Sequence, residues 1–185
     1  AWPGNSALLL ASVDQGKNGL ELFRDDLSKG ERLNLTQRPG PEQAGSVAPD
    51  GKSYVFSSNR EGTFQLYRGD FSKNKPARLS QGKSRHQWPS FSPSGDQVAY
   101  CDDAEGTMAI WIHPIATKKA RRLSPPAAKE SDLYPAWAPD GQQLVFERKT
   151  GEASQLRIVQ LKDGQEKAVA TPASPHQPSW SPSTQ

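Results

Sequence analysis

The sequence predicts an all-β protein built from four tandem sheet-forming units, and three observations predict it. A Pro-x-Gly turn recurs at Pro49-Asp50-Gly51, Pro93-Ser94-Gly95 and Pro139-Asp140-Gly141, spaced by 44 and 46 residues. Five residues after each turn proline a short apolar strand begins: Tyr54 to Phe56, Val98 to Tyr100 and Leu144 to Phe146. No segment carries sustained helical periodicity; fifteen Gly and sixteen Pro punctuate short apolar runs that hold most of the aromatic residues.

The chain has 185 residues, enough for one core or for an array whose core is shared between neighbouring units. Only 34% of it is hydrophobic, but balanced charge and five Trp argue for a folded chain over a disordered one. The formal charge is +3 and both signs are interspersed, so nucleic acid is not an expected partner. The densest basic run, Lys118, Lys119, Arg121 and Arg122, reads as a solvated edge strand. The single cysteine, Cys101, excludes an internal disulfide and any site built on several thiolates, and its default role is a small buried hydrophobe. No apolar stretch reaches transmembrane length, so no direct membrane insertion is expected. The sequence starts Ala1-Trp2-Pro3 without an initiator Met or a signal peptide, which fits a processed chain, an excised domain or a fragment.

Each unit follows one order of elements. In the turn, Pro fixes φ, Asp or Ser bonds the backbone two residues on, and Gly accepts positive φ. Pro3-Gly4-Asn5, followed by Leu8 to Leu10, and Pro182-Ser183 extend the period on either side. A second strand carries Leu22-Phe23, Leu66-Tyr67, Ile110-Trp111 and Leu156-Arg157, with Arg157 the one departure. Polar Gly loops such as Ser57 to Gly62 join the two strands. A third strand ends in Arg78-Leu79-Ser80 and Arg122-Leu123-Ser124, with Arg32-Leu33 and Val169-Ala170-Thr171 as looser copies. A fourth precedes each turn: Trp88 to Ser92, Tyr134 to Ala138 and Gln177 to Ser181, with Phe91, Trp137 and Trp180 two residues before the turn proline. Val47 holds that place in the degenerate first copy. Four strands per roughly 45 residues is the signature of a β-propeller blade, giving a single domain over 1–185 with repeats at about 3–48, 49–92, 93–138 and 139–181.

The run Pro135-Ala136-Trp137-Ala138-Pro139-Asp140-Gly141, then an apolar strand, a Gly loop, an Ile/Leu-aromatic strand and Arg-Leu-Ser, resembles the repeat of TolB-like, WD-repeat-like β-propellers. The resemblance covers essentially the whole chain. It implies a radial ring of four-stranded antiparallel blades and a non-catalytic role in docking envelope proteins in the bacterial periplasm. Rings of that family commonly have six blades, so four repeats imply a partial propeller or a fragment of a larger ring. The chain opens after a pre-turn strand and closes with another, so the terminal strand is suited to completing the first blade of a closed ring. An open arc would instead expose apolar faces and self-associate.

Ligands of propellers meet the loops at a face of the ring or the mouth of its central channel. Six and seven residues before the turn prolines stand Gln43 and Glu42, Gln87 and His86, Leu133 and Asp132, and His176 with Pro175. In a radial array these side chains converge, and Trp88 and Tyr134 add apolar area for a protein or peptide partner. His86, His176, Asp132 and Glu42 are metal-ligand types, but mixed ligands at inequivalent offsets assign no metal, and no cofactor is expected. Trp137 and Trp180, fixed in the repeat, are expected to pack blade on blade, whereas Trp88 and Trp111 are contact candidates.

No Gly-x-Ser-x-Gly elbow or His-Glu-x-x-His motif is present, so no catalytic residue is assigned and the expected role is a binding or scaffolding module. Similar propellers also form the sensory domain of membrane-anchored transcription regulators and the substrate gate of serine peptidases. An upstream winged helix with a membrane span would mark the first, and a downstream α/β-hydrolase domain the second.

Overall fold

The structure, a computed structural model, describes residues 7–13, 19–27, 29–36, 40–117, 119–169 and 177–180. These contain fifteen strands and no helix: β1 Ala7–Val13, β2 Leu20–Asp26, β3 Glu31–Asn34, β4 Glu42–Val47, β5 Ser53–Ser58, β6 Gln65–Asp70, β7 Lys73–Arg78, β8 His86–Phe91, β9 Gln97–Asp102, β10 Ala109–Pro114, β11 Arg121–Arg122, β12 Glu130–Trp137, β13 Gln143–Thr150, β14 Ala153–Gln160 and β15 Glu166–Ala168. They form one three-stranded sheet, β1-β2-β3, and three four-stranded sheets, β4-β5-β6-β7, β8-β9-β10-β11 and β12-β13-β14-β15. The chain divides into two compact units, residues 1–89 and 90–185.

The turns close as their chemistry requires. In the copy at Pro49, the Gly51 N–H donates to the Ala48 carbonyl at 2.9 Å and the Ala48 N–H to the Ser53 carbonyl at 2.8 Å. The Lys52 N–H donates to Asp50 Oδ1 at 2.9 Å, and Gln142 bonds Asp140 Oδ1 the same way. Gly51 and Gly141 take φ of 67° and 70°, open to glycine without a Cβ clash. In the copy at Pro93, Ser94 bonds Asp96 instead, and Ser92 donates to the same carboxylate at 3.0 Å.

This turn joins the strand before it to the strand after it, β4 to β5 and β12 to β13. Each sheet is therefore phased one strand ahead of the turn-to-turn repeat: a stretch such as 49–92 supplies three strands of one sheet and the opening strand of the next.

The closing strand is fixed by a hydroxyl. Ser80 Oγ accepts from the Leu66 N–H at 3.0 Å, Ser124 Oγ from Ile110 at 2.8 Å, and Thr36 Oγ1 from Leu22 at 3.1 Å. The register pairs Phe23 with Asn34, Tyr67 with Arg78 and Trp111 with Arg122. The first copy of Arg-Leu-Ser is thus Asn34-Leu35-Thr36, not Arg32-Leu33: Leu35 is buried, whereas Leu33 is 46% exposed.

In the first unit the core lies between two sheets, where Leu22 and Leu35 meet Tyr54, Phe56 and Tyr67, with Phe71 packed against them. Arg24 places its guanidinium 5.2 Å from the Phe71 ring centroid. In the second unit β12 packs on β9 and β10. Trp137, 8% exposed, donates its indole N–H to the Ser90 carbonyl of β8 at 3.0 Å, and Trp180 repeats the bond to Ala136 at 3.1 Å. Trp137 therefore ties β12 to β8, and Trp180, from the same place in the repeat, ties its own segment to β12.

Candidate functional site

The opening strands β4, β8 and β12 carry most of the candidate residues, and each place in the strand has its own environment. Seven residues before the turn proline, Glu42, His86 and Asp132 are buried, with relative exposures of 0%, 2% and 0%. Burial demands partners, because a buried unpaired charge or donor is costly. Glu42 Oε1 accepts from Ser58 Oγ at 3.0 Å and from Arg60 Nη2 at 2.8 Å, while the Arg60 guanidinium lies 4.5 Å from the Tyr67 ring centroid. His86 Nδ1 is 2.9 Å from Gln65 Oε1, which also accepts from Arg78 and Ser80. With an acceptor at Nδ1, the ring carries a proton there, and Ser84 Oγ lies 3.2 Å from Nε2.

Asp132 is held by a bidentate Arg148 fork, with Nε and Nη2 both at 2.7 Å, and the same guanidinium reaches Glu166 on β15 at 2.8 Å. Burial pushes the Asp132 carboxyl above the usual range, against the pull of Arg148 and Ser124. Arg148 is disfavoured by burial, but its bonds to Asp132 and Glu166 outweigh that and hold it firmly charged. These three residues, expected at a channel mouth, turn inward and anchor the opening strands to residues 16 or more positions away.

One residue further on, the side chains are half-buried and meet. Gln87 Nε2 donates to Gln43 Oε1 at 3.2 Å, bringing together two of the residues expected to converge.

Five residues before the proline the backbone departs from a regular strand. Trp88, Tyr134 and Gln177 take φ of 52°, 55° and 48°. Each precedes a proline, a position that favours extended backbone, and bulky residues rarely enter the left-handed region. Register shifts mark the same place, between Gln43 and Gly45 on β4 and between Leu133 and Ala136 on β12. On β4 and β12 the feature is a β-bulge, which bends the strand and re-aims the side chain beside it; what recurs in all three later copies is the positive φ before a proline. Trp88 and Tyr134 are half-buried there, and Gln177 is exposed. Burial raises the Tyr134 phenol, while a hydrogen bond with Gln177 works the other way. The sequence predicts Trp88 and Tyr134 as contact residues but not the positive φ at which they are held; its only trace is an aromatic before a proline, recurring in phase. His176 lies outside the described residues.

Cys101 is fully buried and its thiol is pushed far up by burial, so it is an interior side chain as expected. Among the described residues no group of three or more His, Cys, Asp or Glu is placed to hold a metal ion, and no helix is long and apolar enough to cross a membrane.

Four-stranded antiparallel sheets that each open with the strand before a Pro-x-Gly turn define a β-propeller chain. The chain belongs to the TolB beta propeller domain family, whose profile matches residues 1–184. It is similar to TolB from Acinetobacter baumannii, with 25% identity and a TM-score of 0.81 over 95% of this chain and 43% of that one. A chain described as a TolB of Agrobacterium tumefaciens aligns at 19% identity and a TM-score of 0.76 over 88% of this chain and 60% of that one. A puromycin-hydrolyzing peptidase of Mycobacterium tuberculosis shares the fold at 14% identity and a TM-score of 0.72, over 90% of this chain and 27% of that one. This chain therefore spans less than two thirds of the length of each. None of the curated proteins is a match.

Proposed function

We propose that this chain is a non-catalytic protein-binding module of TolB type, acting outside the bacterial cytoplasm, which takes a protein or peptide partner on residues that the opening strand of a sheet presents. The observation that carries this reading is the positive φ that recurs before a proline at Trp88, Tyr134 and Gln177. Non-glycine residues held at positive φ cost about 1–3 kcal/mol each, and such strain concentrates at ligand clamps and other functional sites. Here it falls on Trp88 and Tyr134, aromatic residues of the kind enriched at interface centres. Gln43 and Gln87 supply amide donors and acceptors beside them in the first unit. Glu42, His86 and Asp132 act from behind as positioning residues.

The non-catalytic half of the reading is supported by the chemistry of the interior. Cys101 is buried with its thiol protonated, and His86 is engaged on both ring nitrogens. The similarity to a peptidase concerns the fold, and a gate of that kind would need a hydrolase domain in the full-length protein.

The test is site-specific photocrosslinking in a bacterial host, with a benzophenone amino acid at 88 or 134 and, as control, at the exposed turn position 140. One discrete crosslinked protein from 88 and 134, absent from 140, is expected. Indistinguishable patterns from all three positions would refute the opening strands as contact surfaces.

A further inference from the structure

The Glu42 carboxylate is fully buried, and only one of its oxygens is engaged by the protein. Oε1 takes Ser58 Oγ and Arg60 Nη2, but Oε2 has no protein donor within hydrogen-bonding distance, and neither has the side-chain oxygen of Asn59. These two oxygens belong to segments held together on both sides. The Asn59 N–H donates to the Pro41 carbonyl at 3.1 Å, Arg60 bonds Glu42, and a Cβ on Gly40 would come within 3.0 Å of the Arg60 backbone.

A buried acceptor without a donor costs roughly 1–3 kcal/mol, and more when charged, so two of them in one short stretch of contact call for a donor between them. We infer that a single internal water binds between β4 and the β5–β6 hairpin, donating one hydrogen to Glu42 Oε2 and the other to Asn59 Oδ1. The chemistry selects water over a cation. Arg60 already balances the Glu42 charge at 2.8 Å, so a second cation would leave uncompensated positive charge in a buried site. The complete burial of Glu42 restricts the occupant to something very small, and water's two donors match the two acceptors. The bound water would complete the anchoring of Glu42, the residue directly before Gln43. This inference does not depend on any partner.

A high-resolution crystal structure of the chain, grown from sodium- and potassium-free buffer and again with rubidium added, tests it. The expected result is a peak about 2.7–3.2 Å from both oxygens in both crystals, with no rubidium anomalous signal. Three results would overturn the inference: no peak with Glu42 in place, a rubidium signal at the site, or a protein N–H or O–H donating to Glu42 Oε2. Glu42→Leu, made as a second crystal, should lack the peak; a peak retained there would also count against Glu42 as its ligand.

Discussion

Replacing Trp137 with alanine removes an indole that is 8% exposed, packed between opening strands and bonded to the Ser90 carbonyl at 3.0 Å. Truncating a buried Trp to Ala costs about 3–5 kcal/mol through lost transfer energy and the cavity left behind. Trp137→Phe separates the parts, since it keeps most of the apolar ring but removes the donor to Ser90, a loss of roughly 1–3 kcal/mol. Urea unfolding followed by far-ultraviolet circular dichroism reads both. With a slope of about 2 kcal/mol per molar urea, the alanine variant should lower the midpoint by roughly 1.5–2.5 M. The phenylalanine variant should fall between it and the parent chain, and Trp88→Ala, at a half-buried site, should cost less than Trp137→Ala. A parental midpoint for Trp137→Ala, or equal losses at Trp88 and Trp137, would refute the assignment of Trp137 to the packing between sheets.

Four further outcomes are expected. Gly69→Ala should destabilise by about 1–3 kcal/mol in the same assay, because its new methyl would collide with the Tyr54 ring, which is 1% exposed and packed beside Phe56 and Phe71. Cys101 should resist an aromatic disulfide reagent in the native chain and react only on unfolding, as absorbance at neutral pH would show. Ser80→Ala should lose roughly 1 kcal/mol, since the buried Leu66 N–H and Gln65 Oε1 both lose a partner. Asp132 binds a proton more readily folded than unfolded, so its contribution to stability is present below the ordinary carboxylate pKa and is lost as pH rises through the folded value. The stability of the parent relative to Asp132→Asn should therefore decline as pH rises above the ordinary carboxylate range; a flat difference would show that the folded carboxyl titrates normally.

The anchoring residues show where local reading stops. Glu42, His86 and Asp132 share a repeat position, but their partners are different: Arg60, Gln65 and Arg148. A polar residue in a short strand reads as solvated until its partner is known, and each partner comes from another strand or its loop. The positive φ is hidden for a related reason. Local rules place Trp88 and Tyr134, each before a proline, in extended backbone, and only the combined pull of pairing and sheet packing holds them at positive φ. Asn34-Leu35-Thr36 was missed because Arg32-Leu33 imitates the repeat by residue type, while the register that distinguishes them is a pairing between strands.

By itself the sequence determined the all-β class, the period, the turn chemistry and the interior role of Trp137 and Cys101, because each follows from local dihedral preference or from a residue's phase in a repeat. Tertiary structure alone decided which polar side chains turn inward, where the backbone is forced into the left-handed region, and that Gln43 and Gln87 meet. Those outcomes depend on hydrogen-bond partners far apart along the chain, whose approach is fixed only when the sheets pack.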